Sequence, residues 1–131
     1  MCLFCKIIKG KIPTNKIYED EKVFAFLNIQ PVNPGHILVI PKKHVANLEE
    51  VESNDLKALM VVIKKMGSRL KEKLPCPAYN VIQNNGSLSG QEIMHLHFHL
   101  IPRFEGDGLK PFPQQKYGLG EAESIKERLQ F

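Results

Sequence analysis

No apolar run in this sequence approaches the length of a membrane-spanning helix, which needs about 20 consecutive residues. The first residues also show no charged leader followed by an apolar stretch of signal-peptide length. We therefore expect no membrane partner and a cytoplasmic location. Dense basic clusters are missing as well, because lysines are interspersed with glutamates, although the net charge is +4. This distribution argues against a nucleic-acid partner and suits a small ligand that carries phosphate.

Cysteine is rare, and the count of three is odd. An odd count without a secretory leader argues against a framework of disulfide bonds. Cys2 and Cys5 have the two-residue spacing of zinc knuckles, whereas Cys76 lies alone between two prolines and is interpreted as a small loop residue. The pair could equally be two small apolar residues on a short amphipathic helix. The residues alone leave metal binding and packing open.

The length of 131 residues and the hydrophobic content of 43% predict a single α+β domain over residues 1–131. Runs of apolar and β-branched residues predict five strands, at 16–18, 23–27, 36–40, 78–82 and 95–101. Apolar residues at helical spacing predict one long helix from Ser53 to Leu74 and short helices near both termini. The short links favour an antiparallel sheet of about five strands. Residues 104–131 are predicted to form a less regular C-terminal tail, since glycine and proline are frequent there.

Three of the five histidines alternate with apolar residues, at His95, His97 and His99. On a β-strand such positions share one face, so the imidazoles would lie about 6.5 Å apart along a common surface. Three interpretations are open: satisfied core or surface histidines, a metal centre, or nucleophilic catalysis at phosphorus. In the third, a neutral imidazole attacks a phosphoanhydride and forms a covalent phosphoramidate that water then releases. An ordinary histidine pKa of about 6.5 leaves the ring largely neutral at cytoplasmic pH.

The segment His95-Leu-His-Phe-His-Leu-Ile101 resembles the motif His-φ-His-φ-His-φ-φ of the histidine triad superfamily of nucleotide hydrolases and transferases. Residues Phe4–Pro13, Phe26–Lys43 and Asn84–Arg103 are similar to the corresponding segments of that family. The resemblance implies a homodimer that cleaves a phosphoanhydride or phosphoramidate bond through a covalent nucleotidyl-histidine intermediate. Its substrate would be a purine nucleotide or a dinucleoside polyphosphate. The alternative is a purine-nucleotide-binding sensor or adaptor with weak or no turnover.

The same resemblance implies a role for each matching residue. His97 would be the nucleophile that takes up the nucleoside monophosphate, and His99 would contact the transferred phosphate. His36 would be the fourth histidine of the catalytic site, and Gln91 and Asn84 would hold phosphate oxygens. The nucleotide pocket would consist of one ribose-binding asparagine and of apolar side chains around the base: Asn28, Leu3, Phe4, Ile7, Phe26 and Ile29.

The residue at position 28 differs between two branches of the family. The phosphoramidate hydrolases resemble one another in having an aspartate there, and the dinucleoside polyphosphate hydrolases of the fragile-histidine-triad type have an asparagine. Asn28 therefore implies a prokaryotic-type member nearer the second branch. Glu92 departs from the serine or threonine that often follows the position of Gln91, and a carboxylate would repel a polyphosphate.

Family members with an N-terminal Cys-x-x-Cys can hold a structural zinc ion. The resemblance extends to all four ligand positions, which here are Cys2, Cys5, His44 and His95. Two cysteines and two histidines complete a tetrahedral zinc site without a position for water. We therefore expect Zn²⁺ as a structural cofactor.

Overall fold

Five strands and three helices form the structure, a computed structural model that describes residues 1–131. The strands are β1 (Lys16–Glu19), β2 (Val23–Leu27), β3 (Ile37–Pro41), β4 (Ala78–Gln83) and β5 (Phe98–Arg103); the helices are α1 (Leu3–Ile8), α2 (Ser53–Lys73) and α3 (Glu121–Leu129). The sheet order is β1-β2-β3-β5-β4, and every neighbouring pair is antiparallel. The predicted α+β class and the five-stranded antiparallel sheet are confirmed.

The central strands β2 and β3 are apolar at nearly every position because both faces of the sheet are covered there. On one face, Val23 and Val39 pack with the buried side of α2 in a cluster of 13 residues. On the other face, Phe24 and Ile40 pack in a cluster of six residues that includes Phe4 of α1. A strand buried on both faces reads as a continuous apolar run instead of an alternating one. The second cluster packs α1 against the sheet, since a helix of six residues is too short to be stable alone.

Strand β5 begins at Phe98, three residues later than predicted, and ends at Arg103, two residues later than predicted. Its pairing with β3 also ends at Phe98. The N–H of Leu96 donates to the carbonyl of Val45 at 2.7 Å and so does not join the ladder with β3. The prediction that one strand carries all three imidazoles is therefore wrong for His95 and His97. These two residues lie in the irregular segment directly before β5.

Strand β3 begins at Ile37, one residue later than predicted, so His36 lies at the end of the preceding loop. Gly35, the residue before it, has a φ of +94°, which favours glycine. A Cβ at this position would also lie 2.6 Å from a methyl carbon of Leu74. The loop can therefore pass close to the end of α2 only because residue 35 has no side chain.

Beyond β5, a turn at Phe104–Asp107 leads into a segment without regular structure that continues to α3. Helix α3 has no buried residue, and Phe112 and Phe131 are exposed. None of the helices combines the length and the apolar character that crossing a membrane requires.

Candidate active site and metal centre

The ring of His97 is buried and held in one orientation by the backbone. Its Nδ1 lies 2.7 Å from the carbonyl oxygen of His95, which can only accept a hydrogen bond. Nδ1 therefore carries the proton, and Nε2 keeps its lone pair. Burial lowers the pKa of His97, so the ring is neutral at pH 7. A neutral imidazole with one free nitrogen can act as a nucleophile.

A series of hydrogen bonds fixes the ring protons of two further histidines. The N–H of Val32 donates to Nδ1 of His36 at 3.1 Å, which leaves the proton of His36 on Nε2. That Nε2–H donates to Nδ1 of His99 at 2.9 Å, so His99 in turn has its proton on Nε2. The rings of His97 and His99 lie 4.9 Å apart between centroids. His99 can thus donate a hydrogen bond to a group that approaches His97.

Burial keeps both of these rings neutral. It lowers the pKa of His36 below its ordinary value. It also lowers the pKa of His99 to about 4, with a smaller contribution from the neighbouring His97 and His36. At pH 7 the site therefore contains three uncharged imidazoles. His97 has a free lone pair on Nε2, His36 donates from Nε2 to His99, and His99 carries its own proton on Nε2.

The predicted base pocket is only partly assembled from buried residues. The ring of Phe4 lies 5.6 Å from that of Phe26 and 5.2 Å from that of His97, and Ile7 packs in the same cluster. Leu3 and Ile29, in contrast, are 43% and 84% exposed. The buried aromatic rings could form the floor of a pocket beside the nucleophile, and the exposed aliphatic side chains could cover a base from the outside.

The polar residues predicted around the nucleotide differ in how many of their side-chain atoms already form hydrogen bonds within the protein. Asn28 accepts from the N–H of Gln30 at 2.9 Å through Oδ1, which leaves its amide nitrogen for another acceptor. Asn84 is half-buried and makes no side-chain hydrogen bond within the protein. Glu92 is exposed.

Gln91 is buried, and both ends of its amide already have partners. Its oxygen accepts from the N–H of Gly86 at 2.8 Å, and its nitrogen donates to the carbonyls of Ala46 and Ile93 at 2.7 and 3.1 Å. The side chain thus holds the Gly86–Gly90 turn in place. Direct contact with a phosphate would require its amide to give up one of these bonds. The sequence did not show this use of Gln91.

Four predicted metal ligands meet at one point, although the sequence separates them by up to 93 residues. The ligand atoms of Cys2, Cys5, His44 and His95 all lie within 4.8 Å of one another. The two sulfurs are 3.2 Å apart, the two Nδ1 atoms 3.1 Å, and the four sulfur–nitrogen pairs 3.4 to 3.6 Å. Around a tetrahedral zinc ion, we expect a distance of about 3.8 Å between the two sulfurs, about 3.3 Å between the two nitrogens and about 3.6 Å between a sulfur and a nitrogen. The four sulfur–nitrogen distances agree with these values, whereas the sulfur–sulfur distance is about 0.6 Å and the nitrogen–nitrogen distance about 0.2 Å shorter.

The chemistry of the donor set also fits a metal ion. Nε2 of His95 lies 2.8 Å from the carbonyl oxygen of Pro41, so it carries the proton and Nδ1 has a free lone pair towards the cluster. Burial of the thiol and then its contact with Cys2 raise the pKa of Cys5. A metal ion would reverse this effect, because it favours the thiolate. His95 thus contributes its ring to the cluster and its carbonyl to His97.

Comparison with known proteins agrees with these features. The chain matches the family model described as HIT domain over residues 9–106. It is 52% identical over 108 residues to an uncharacterized HIT-like protein of Methanocaldococcus jannaschii, and the match covers 82% of this chain and 83% of that protein. It is 45% identical over 106 residues to the adenosine 5'-monophosphoramidase HNT1 of Candida albicans, and this match covers 78% of this chain and 70% of that protein.

Solved structures give the same result for the fold. A member of the HIT family of proteins from Bacillus subtilis superposes with a TM-score of 0.90 at 37% identity, over 98% of this chain and 94% of that chain. A zinc-bound histidine triad family protein from Mycobacterium smegmatis superposes with a TM-score of 0.79 at 34% identity, over 83% of this chain and 79% of that one. The family model spans residues 9–106, and the two relatives are 52% and 45% identical to this chain over the matched residues. The chain therefore belongs to the HIT domain family.

Proposed function

We propose that this protein transfers a nucleoside monophosphoryl group from a nucleotide to water, with His97 as the nucleophile. The arrangement of ring protons supports this most directly. The His95 carbonyl holds Nδ1–H of His97, which leaves a lone pair on Nε2 in a buried, uncharged site. The neighbouring His99 presents an N–H that can donate to a phosphoryl oxygen. Hydrogen-bond donors aimed at developing negative charge are a major source of catalysis.

The reaction would have two steps. First, the lone pair on Nε2 of His97 bonds to the α-phosphorus while the bond from phosphorus to the leaving group breaks, and the leaving oxygen or nitrogen takes up a proton from solvent. Second, water attacks the same phosphorus and gives up a proton to solvent, the phosphorus–nitrogen bond breaks with its electron pair returning to Nε2, and the nucleoside monophosphate leaves. Turn Gly86–Gly90, anchored by Gln91, would place Asn84 and backbone N–H groups near the phosphate.

We infer an adenine nucleotide as the substrate. Relatives 40–46% identical to this chain carry the name adenosine 5'-monophosphoramidase, which favours a phosphorus–nitrogen bond. Asn28 instead favours the dinucleoside polyphosphates of the fragile-histidine-triad branch, and this branch assignment rests on that residue alone. Glu92, exposed beside Gln91, argues for a leaving group with little negative charge. Together these features put a phosphoramidate first and a dinucleoside polyphosphate second.

A panel of adenosine phosphoramidate, diadenosine polyphosphates and adenylylated lysine, with release of AMP measured by chromatography, tests the proposal. We expect turnover by the natural chain and a loss of at least about a thousandfold in His97→Ala. The alternative, a nucleotide-binding sensor or adaptor, would show a rise in melting temperature with AMP but no turnover of any compound. Turnover that persists in His97→Ala would remove this residue as the nucleophile.

The Cys2, Cys5, His44 and His95 cluster would hold a structural zinc ion. The six distances between ligand atoms and the free lone pair on Nδ1 of His95 support this assignment. A closed set of two thiolates and two imidazoles leaves no position for substrate, so the ion would stabilise the fold and take no part in the reaction. Elemental analysis of protein purified without chelators should find about one zinc per chain.

We also infer a homodimer. Strand β4 forms an open edge of the sheet and carries an exposed Val81. An unprotected edge strand pairs readily with another strand, and a second copy about a two-fold axis would supply one. Light scattering after size exclusion should give about twice the chain mass. Val81→Lys should shift the protein towards the monomer, whereas a monomer in the natural chain would refute the inference.

A further inference from the structure

Asp107 is an almost buried carboxylate that the proposed reaction does not use. Its side chain is 7% exposed and accepts from Nε and Nη2 of Arg103 at 2.8 and 3.0 Å. The N–H groups of Phe104 and Leu109 donate to it at 3.2 and 3.1 Å, and Nδ2 of Asn33 donates at 3.1 Å. Arg103 first, and then the other donors, hold the pKa of Asp107 well below its usual range. Four of these five bonds come from residues 103–109, at and directly after the end of β5, and the fifth comes from Asn33.

Asn33 connects this turn to the loop that precedes β3. Besides its bond to Asp107, Nδ2 of Asn33 donates to the carbonyl of Pro102 at 2.9 Å. Its own carbonyl accepts from the N–H of His36 at 3.1 Å. The side chain of Asn33 thus binds the end of β5, and its backbone carbonyl binds His36 of the predicted active site.

The residue before Asn33 orients the imidazole of His36. The N–H of Val32 donates to Nδ1 of His36, and this bond places the proton of His36 on Nε2. The side chain of Val32 is 48% exposed, so little packing holds this residue in place. Its position depends on the attachment of its neighbour Asn33. A continuous series of contacts therefore runs from Asp107 through the loop to the N–H that His99 presents.

We propose that Asp107, through Asn33, is a positioning residue that selects the Nε2–H tautomer of His36 and hence of His99. Asp107 touches neither substrate nor the reacting atoms. This inference rests on the proposed function, since it gives His99 its N–H donor for the phosphoryl oxygen. The simpler possibility is that the Arg103–Asp107 ion pair only stabilises a turn, as an i,i+4 pair can.

Two variants and one matched control separate these roles. Asn33→Ala removes the link to the loop and keeps the ion pair. Asp107→Asn keeps the size of the side chain but leaves one acceptor oxygen for five donors. The control is Asn80→Ala, because Asn80 belongs to β4 and its Oδ1 accepts from Nη1 of the same Arg103 at 3.0 Å without a bond to the loop.

Two measurements that a purely structural role would not change decide the question. Steady-state kinetics on the best substrate should show kcat lowered about tenfold to a hundredfold in Asn33→Ala and Asp107→Asn, because a small misplacement of a catalytic group has effects of this order. KM should stay within about twofold, since neither variant replaces a residue of the predicted nucleotide pocket. Nitrogen-15 NMR of the imidazoles should show the Nε2–H tautomer of His36 and His99 in the natural chain and a mixture in both variants.

The control should match the natural chain in kcat and in tautomer. If the two variants lower only the melting temperature, with kcat within about twofold of Asn80→Ala, the proposal is overturned. It is also overturned if His36 keeps a single Nε2–H tautomer in folded Asn33→Ala. If the natural chain turns over no nucleotide, the proposed function fails, and the tautomer measurement still decides whether Asp107 positions His36.

Discussion

Replacement of Cys5 by serine tests whether a metal ion holds helix α1 to the sheet. Helix α1 has six residues and buries only Phe4 and Ile7. Burial of these two side chains contributes about 3–6 kcal/mol, whereas ordering the backbone of six residues costs about 6–12 kcal/mol. Packing therefore leaves a shortfall of a few kcal/mol. A bound metal ion would close it, because it binds the folded chain only.

The expected loss follows from mass action. An ion present at about a hundred times its dissociation constant stabilises the folded state by about 2.7 kcal/mol. A loss of that size should lower the melting temperature by roughly 10 °C in a domain of this length. Since α1 also carries Phe4, whose ring lies 5.2 Å from that of His97, nucleotide affinity should fall together with stability.

The assay combines elemental analysis, scanning calorimetry and titration with AMP. The matched control is Cys76→Ser, the same exchange of thiol for hydroxyl at a buried cysteine whose Sγ lies 3.4 Å from the carbonyl of Leu70, outside the cluster. The control should retain its zinc and its affinity for AMP. Natural protein that contains no metal after purification without chelators, together with an unchanged melting temperature in Cys5→Ser, would refute the reasoning and return both cysteines to ordinary packing.

Three further predictions concern the active site. His97→Ala should bind AMP within about threefold of the natural chain while losing turnover, because the ring makes the covalent bond and contributes little to the pocket; a large loss of affinity in calorimetry would contradict this. Asn28→Asp should change the ranking of phosphoramidate and dinucleoside polyphosphate substrates without abolishing turnover, and an unchanged ranking would mean that the side chain does not contact the ribose. Because the pKa of His99 is about 4 in the folded protein, against an ordinary value of 6.5, the unfolded chain binds more protons between these values. Stability in urea should then fall by about 2–3 kcal/mol between pH 7 and pH 4 on account of this residue; a flat profile there would contradict the burial of the neutral ring.

Most of the fold could be predicted because hydrophobic periodicity reports local burial. The long helix begins at Ser53 as predicted, and its apolar positions pack on the sheet. The start of β5 could not be predicted, because the N–H of Leu96 leaves the ladder to bond with Val45, a residue 51 positions away in the chain. A sequence pattern shows which residues are apolar, but it does not show which carbonyl a given N–H will reach.

The candidate site divides in the same way. Resemblance to a family identified His36, His97 and His99, and the structure brings these three rings together. The resemblance gave no indication that backbone groups occupy the amide of Gln91, or that Asp107 contacts the loop before β3 through Asn33. For the residues around Asp107, the frequent glycines and prolines predicted only a less regular tail. The contact across 74 residues depends on how strands pack, which no local pattern contains.

His95 shows how the two sites of this protein are joined. Its ring faces the cysteine cluster through Nδ1 and donates from Nε2 to Pro41, while its carbonyl oxygen accepts from Nδ1 of His97. The first pair of contacts requires a histidine, but any residue supplies the carbonyl. A substitution that removes the ring therefore leaves the hydrogen bond to the proposed nucleophile chemically possible and acts on it only through the position of the backbone. If the metal ion fixes that backbone by binding the ring, the tautomer of His97 depends on metal occupancy even though the ion never approaches the substrate.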